Sequence, residues 1–163
     1  MIFVTVGTHE QQFNRLIMFM DEWAELNKET VIIQTGFSSY EPNYCIWKNI
    51  YSYSDMITNI KNARIVITHG GPSSIIMSLQ NGKIPIVVPR RKEYGEHVNN
   101  HQVDFCNFIY DRNDNIILIE NINLLNDAID SYDELVIKKK ANIDSNNDLF
   151  CAKFEGCVKK IIQ

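Results

Sequence analysis

The residues best suited to chemistry fall in three short stretches. Thr68-His69-Gly70-Gly71-Pro72-Ser73-Ser74 combines an imidazole, two glycines and two hydroxyls, and it follows the apolar run Ile65-Val66-Ile67. Glycines let a ligand approach the backbone, and Pro72 suits a first helical turn, where no N–H is needed. A helix over 73–81 would then turn its free N–H groups and the positive end of its dipole toward the loop, an arrangement that takes phosphate or diphosphate. The same residues also fit an ordinary strand-to-helix turn with a serine cap, so the motif alone leaves both readings open. Gly7-Thr8-His9 is the second stretch; read alone, Thr8 is a helix cap and His9 an exposed side chain. The third is Glu96-His97-Val98-Asn99-Asn100-His101-Gln102, beyond the polar loop 90–95. Imidazole titrates near neutral pH, so His9 and His97 are candidates for accepting a hydroxyl proton, while carboxylate and amide side chains suit vicinal hydroxyls. His97 and His101 are four apart and could share a helical face, but H-E-x-x-H is absent and no third ligand is evident. No metal site is assigned.

Such loops need a scaffold that brings them to one edge. Strands are predicted at 2–6, 31–33, 65–67, 84–89 and 116–119, with a short one at 49–51. A helix over 11–26 carries Phe13, Leu16, Ile17 and Met20 at helical spacing, and one over 54–62 turns Met56, Ile57 and Ile60 inward. The helix 73–81 closes at Asn81-Gly82; another runs on from Gln102 through Phe105 and Phe108, and 121–132 carries Ile122, Leu125, Ala128 and Ile129 on one face. This βα alternation predicts right-handed crossovers and an α/β fold: a Rossmann-like parallel sheet with helices on both faces. In such a sheet ligands bind beyond the carboxyl ends of the strands, so the three stretches converge on one crevice. The region 37–47 reads as loop. Tyr40, Tyr44, Trp47, Tyr51 and Tyr53 make that part of the chain aromatic, which serves stacking on a base, contact with a protein or core filling, and no role is assigned.

The 163 residues are enough for one domain with a sizeable core. A composition 45% hydrophobic and 22% charged belongs to a folded chain, and a net charge of -4 leaves no footprint for general nucleic-acid binding. Charged and polar residues interrupt every long apolar span, so neither a transmembrane helix nor a secretory signal is expected and the chain is placed in the cytoplasm. Cys45, Cys106, Cys151 and Cys157 lack C-x-x-C spacing and read as buried or idle thiols. Residues 142–148 form a polar loop, and 149–162 an amphipathic C-terminal helix that either closes the domain or docks a partner.

Taken in order, the strand, H-G-G-P-S-S, helix, N-G-K-I-P strand, P-R-R and E-H-V-N-N-H-Q resemble the donor-binding half of GT-B glycosyltransferases, of the family 28 C-terminal-domain type. The likeness is greater to the small subunit of two-chain enzymes: the bacterial exopolysaccharide and capsule glycosyltransferases, and the eukaryotic transferase acting on dolichol-linked GlcNAc. The opening V-T-V-G-T-H-E-Q-Q-F-N-R also matches the bacterial branch. The resemblance implies a single donor-binding domain over 1–163 and an inverting transfer of a sugar, galactose favoured, from a UDP-sugar to a lipid diphosphate-linked saccharide. It implies no cofactor and no metal, and a membrane-associated acceptor-binding partner that holds the chain peripheral to the membrane; isolated chains could also self-associate. It assigns Gly7, Thr8, His69, Gly70, Gly71, Ser73 and Ser74 to the diphosphate, and Glu96, His97, Asn100, His101 and Gln102 to ribose or sugar hydroxyls. His9 and His69 are the catalytic candidates, with the base otherwise in the partner.

Two other classes stay open at this stage. A non-catalytic enhancer subunit would bind a companion without UDP affinity of its own. A nucleotide-binding oxidoreductase or epimerase is disfavoured because G-x-G-x-x-G does not follow the first strand and the chain is short.

Overall fold

Every residue from Ile2 to Thr5 is buried, as is every residue from Ile65 to His69. Unbroken burial without polar alternation marks strands covered on both faces. In the computed structural model, which describes residues 1–139, these segments are β1 (Ile2–Thr5) and β4 (Ile65–His69), the central pair of one parallel sheet. With β2 (Val31–Gln34), β3 (Ile46–Lys48), β5 (Ile86–Val88) and β6 (Ile117–Leu118) the order is β3-β2-β1-β4-β5-β6. Ile2 lies opposite both Val31 and Ile65, and Thr5 opposite Gln34 and Thr68. The order reverses direction between β1 and β4, so the loops leaving these two strands diverge and leave a crevice between them.

Alternate side chains of β1 enter different cores. Ile2 and Val4, with Val6, pack with Leu16, Ile17 and Met20 of α1 (Asn14–Asn27) and with Leu125 and Ile129 of α5 (Leu125–Asp130). Phe3 faces the other way, with Val66 and with Met56 and Ile60 of α2 (Tyr53–Asn62). Val87 meets Ile75 of α3 (Pro72–Gln80) and Cys106 of α4 (His101–Asn113). The α/β reading therefore holds, with helices on both faces.

Several boundaries differ from expectation for identifiable reasons. α1 begins at Asn14 rather than Gln11, because the Gln11 and Gln12 carbonyls accept from Arg90 instead of from helical N–H groups. The short strand falls at 46–48, not 49–51. Ile32 to Gln34 pair with Ile46 to Lys48, and the Tyr51 N–H is taken by the Gln34 side chain, which ends the ladder. The helix expected over 121–132 is a single tight turn at Ile122–Leu124 followed by α5; Ser131 then breaks the run before α6 (Tyr132–Ile137). That break lets the Tyr132 hydroxyl donate to the Ile84 carbonyl at 2.7 Å in the core. The loop 142–148 and helix 149–162 lie outside the described residues, as do Cys151 and Cys157. Cys45 and Cys106 are free thiols, each pushed by burial up to about 12 and so inert near neutral pH. Among the described residues no helix is long and apolar enough to cross a membrane.

Candidate functional site

Beyond the carboxyl ends of β1 and β4 lies a cavity of about 430 Å³. One end is built from Gly7, Thr8, His9, His69, Gly71, Ser73 and Ser74, and the other from Ile50, Tyr51, Tyr53, Met56 and Met77, with Thr5 and Gln34 between them. Gly71 precedes α3 with extended backbone and no side-chain cap, and Pro72 occupies the first turn. The Ser73 and Ser74 N–H groups are thus left at the positive end of the helix beside the cavity, which suits an anion.

His69 forms the floor of that end. Its ring is wedged between two backbones: a Cβ on Gly7 would lie 2.5 Å from His69 Cε1, and one on Gly71 2.2 Å from its Nε2. Gly7 also has φ +75°, which side-chain-bearing residues rarely adopt. No larger residue fits at either position without moving the imidazole. Burial, reinforced by the Arg90 charge, pulls His69 down to about 4. It is therefore neutral at pH 7 and can hydrogen-bond a ligand but holds no second proton to give. Gly70 serves packing instead, since a Cβ there would meet Cys106 Sγ at 2.8 Å and Gln102 Cβ at 2.9 Å.

His9, His97 and His101 form a row of contacting rings that leads away from the cavity, the first pair tilted with centres 4.5 Å apart and the second edge-to-face at 4.4 Å. The Gln11 N–H donates to His9 Nδ1 at 3.3 Å and the Asn99 N–H to His97 Nδ1 at 3.4 Å. A ring that accepts at Nδ1 carries its proton on Nε2, so both rings present an N–H there. Burial holds His97 below the ordinary imidazole range, with the neighbouring rings adding to the effect. His9 lines the cavity, whereas His97 and His101 stand behind it. Among the described residues no group of three or more His, Cys, Asp or Glu is placed to hold a metal.

The expected hydroxyl-binding set is arranged otherwise. Glu96 is 0% exposed, and Arg15 grips its two oxygens at 2.8 and 2.9 Å while the Arg91 N–H adds a third donor at 3.0 Å. In this arrangement the Glu96 carboxylate is an internal ion-pair partner of Arg15 and does not line the cavity. Gln102 accepts from the Arg90 N–H at 3.2 Å, and Asn100 from the Lys92 N–H at 2.8 Å. Neither lines the cavity. The tyrosines of the aromatic end, by contrast, are residues left without a role in the sequence; their one signal is the pair Tyr51 and Tyr53 at the start of α2. Tyr51 is held there by Gln34 and by an edge contact with Phe3 at 6.2 Å.

The profile of the glycosyltransferase family 28 C-terminal domain matches residues 1–141. Among solved structures, the glycotransferase of kitacinnamycin superposes with a TM-score of 0.57 at 18% identity, covering 83% of this chain and 34% of that one. The glycosyltransferase SnogD from Streptomyces nogalater is a weaker likeness, with a TM-score of 0.42 at 17% identity, covering 55% and 25% of the two chains. No curated protein sequence matches the chain. The stronger superposition identifies the fold as one half of a GT-B glycosyltransferase, and the chain spans about a third of that structure's length.

Proposed function

The chain belongs to the glycosyltransferase family 28 C-terminal domain, and from that membership we propose that it is the donor-binding, catalytic part of an inverting glycosyltransferase that uses a UDP-sugar. One observation carries the reading: the 430 Å³ cavity at the strand-order reversal joins an anion-receiving helix start to an aromatic and apolar end. UDP has the same two parts, a diphosphate and a flat base. The Ser73 and Ser74 N–H groups, with the Gly7 to His9 loop opposite, face the diphosphate, while Tyr51 and Tyr53 border the base.

Transfer of the sugar breaks its bond to the diphosphate and leaves negative charge on UDP. Fixed N–H donors aimed at that charge stabilise the transition state more than the ground state. Neutral His69 contributes position and a hydrogen bond. His9, with its proton on Nε2, donates toward the leaving group, so the base that takes the acceptor's hydroxyl proton belongs to the acceptor half. The resemblance to the small subunits of two-chain enzymes favours a separate membrane-associated subunit for that half. The acceptor is then a lipid diphosphate-linked saccharide of exopolysaccharide or capsule assembly, with galactose the favoured donor sugar.

Calorimetric titration with UDP, with ADP and NAD as controls, tests the donor reading. Selective UDP binding is expected, weakened on the order of tenfold or more by Gly71→Ala, whose new Cβ displaces His69. Preference for NAD would overturn it in favour of a dinucleotide enzyme, and silence toward all three would favour an enhancer subunit.

A further inference from the structure

Arg90 is 0% exposed, yet its guanidinium lies among backbone carbonyls rather than against a carboxylate. Nη2 donates to Val6 O at 2.8 Å, and Nη1 to Gln11 O at 2.8 Å, Gln12 O at 2.9 Å and Glu96 O at 3.0 Å. The Phe13 ring lies 4.9 Å away, and the Arg90 N–H is held by Gln102. Burial draws the guanidinium down to about 10, with Glu96 opposing, and it remains a cation at neutral pH. Carbonyls meet both Nη groups, whereas Nε is buried without a partner, so these carbonyls are what offset the burial of the cation. Here the acceptors come from the end of β1, from the loop that leads into α1 and from the segment before α4.

The acceptors are what give the contact its consequence. Val6 immediately precedes Gly7, and Gln11 is also the residue whose N–H sets the proton on His9. The stretch between them has no regular secondary structure to hold it. Its position against the His97 segment is defined where Arg90 ties Val6, Gln11 and Gln12 to Glu96, whose side chain is locked in turn by Arg15. The tyrosine end of the cavity has no such link to Arg90.

We infer that Arg90 is a positioning residue for the anion end of the cavity, fixing the Gly7 to His9 loop and the orientation of His9 without touching the ligand. For its ligand this rests on the donor reading above.

The test compares wild type with Arg90→Lys, which keeps the charge but cannot span the same carbonyls, by NMR titration with UDP and with uridine, which lacks the phosphates. The dissociation constant for UDP is expected to rise about tenfold or more, with that for uridine changed less than about twofold. The His9 imidazole and the amides of 8–13 should shift while those of Tyr51 and Tyr53 hold. A purely structural arginine would leave both affinities alone in the folded variant or weaken them equally, and either result overturns the inference. Should Arg90→Lys fail to fold, the wild type decides: separate, slowly exchanging Arg90 Hη signals that respond to UDP but not to uridine support the inference. Averaged signals, or an equal response to both, overturn it. A wild type that binds neither compound defeats the donor reading. The positioning claim is then judged on the His9 and 8–13 resonances of Arg90→Lys, whose failure to move overturns it.

Discussion

His69 shows how one side chain couples the site to stability. Its folded value of about 4 lies below the ordinary 6.5, because burial disfavours the imidazolium. Between those two values the unfolded chain binds the proton that the folded chain refuses, so stability is full above 6.5 and falls as pH drops toward 4. The shift corresponds to about 3 kcal/mol, at 1.36 kcal/mol per unit. Urea unfolding followed from pH 7 to 4 should show a loss of that order, and His69→Gln should remove most of the slope. A residual slope of the same sign comes from His97, also held low by burial, and toward pH 4 from Asp21 and Glu29, whose hydrogen-bonded carboxyls sit below their ordinary range. Imidazole next to two glycines was legible in the chain as a site for an anion. Its neutrality was not, because the desolvation comes from Gly7 and Gly71 closing over it from two strands' ends.

At the scale of elements, the cavity's aromatic wall depends on how the chain between β2 and α2 is pinned. Asp21 on α1, 1% exposed, accepts from Tyr40 OH at 2.9 Å and from the Asn43 and Tyr44 N–H groups at 2.9 and 2.8 Å. Burial alone would raise its carboxyl, but these donors together hold it below the usual 3.8. Asp21→Ala would leave two backbone N–H groups and a phenol without their acceptor, at a cost of about 2–4 kcal/mol. Denaturant unfolding should register that loss, and backbone amide exchange should rise first over 40–48. Helical periodicity located the body of α1 but not its first turn, because the carbonyls that would begin it are diverted to a distant arginine. Likewise two β-prone triplets, 46–48 and 49–51, compete locally, and only pairing with β2 selects the first.

For the whole molecule, the chain spans about a third of the GT-B structure it resembles, and the proposed donor-half role makes donor binding separable from transfer. The isolated protein is expected to bind UDP yet move no sugar from UDP-galactose to a lipid diphosphate-linked acceptor. On that proposal transfer should appear when an acceptor-binding half is added, as followed by labelled sugar in the lipid fraction; transfer by the isolated chain would refute the division. What the sequence determined by itself is local and periodic. Apolar runs separated by amphipathic helices dictate a parallel sheet covered on both faces, and Gly-rich turns at strand ends dictate where a ligand can meet backbone. What only the tertiary structure decided is which polar groups face the cavity and which are consumed inside the protein. Glu96, a plausible ligand for a sugar by type and position, is spent on Arg15, while Tyr51 and Tyr53, unremarkable in sequence, border the cavity. Residue type sets what a group can bond to. Which partner it takes is settled by the burial and donors that residues dozens of positions away bring to it.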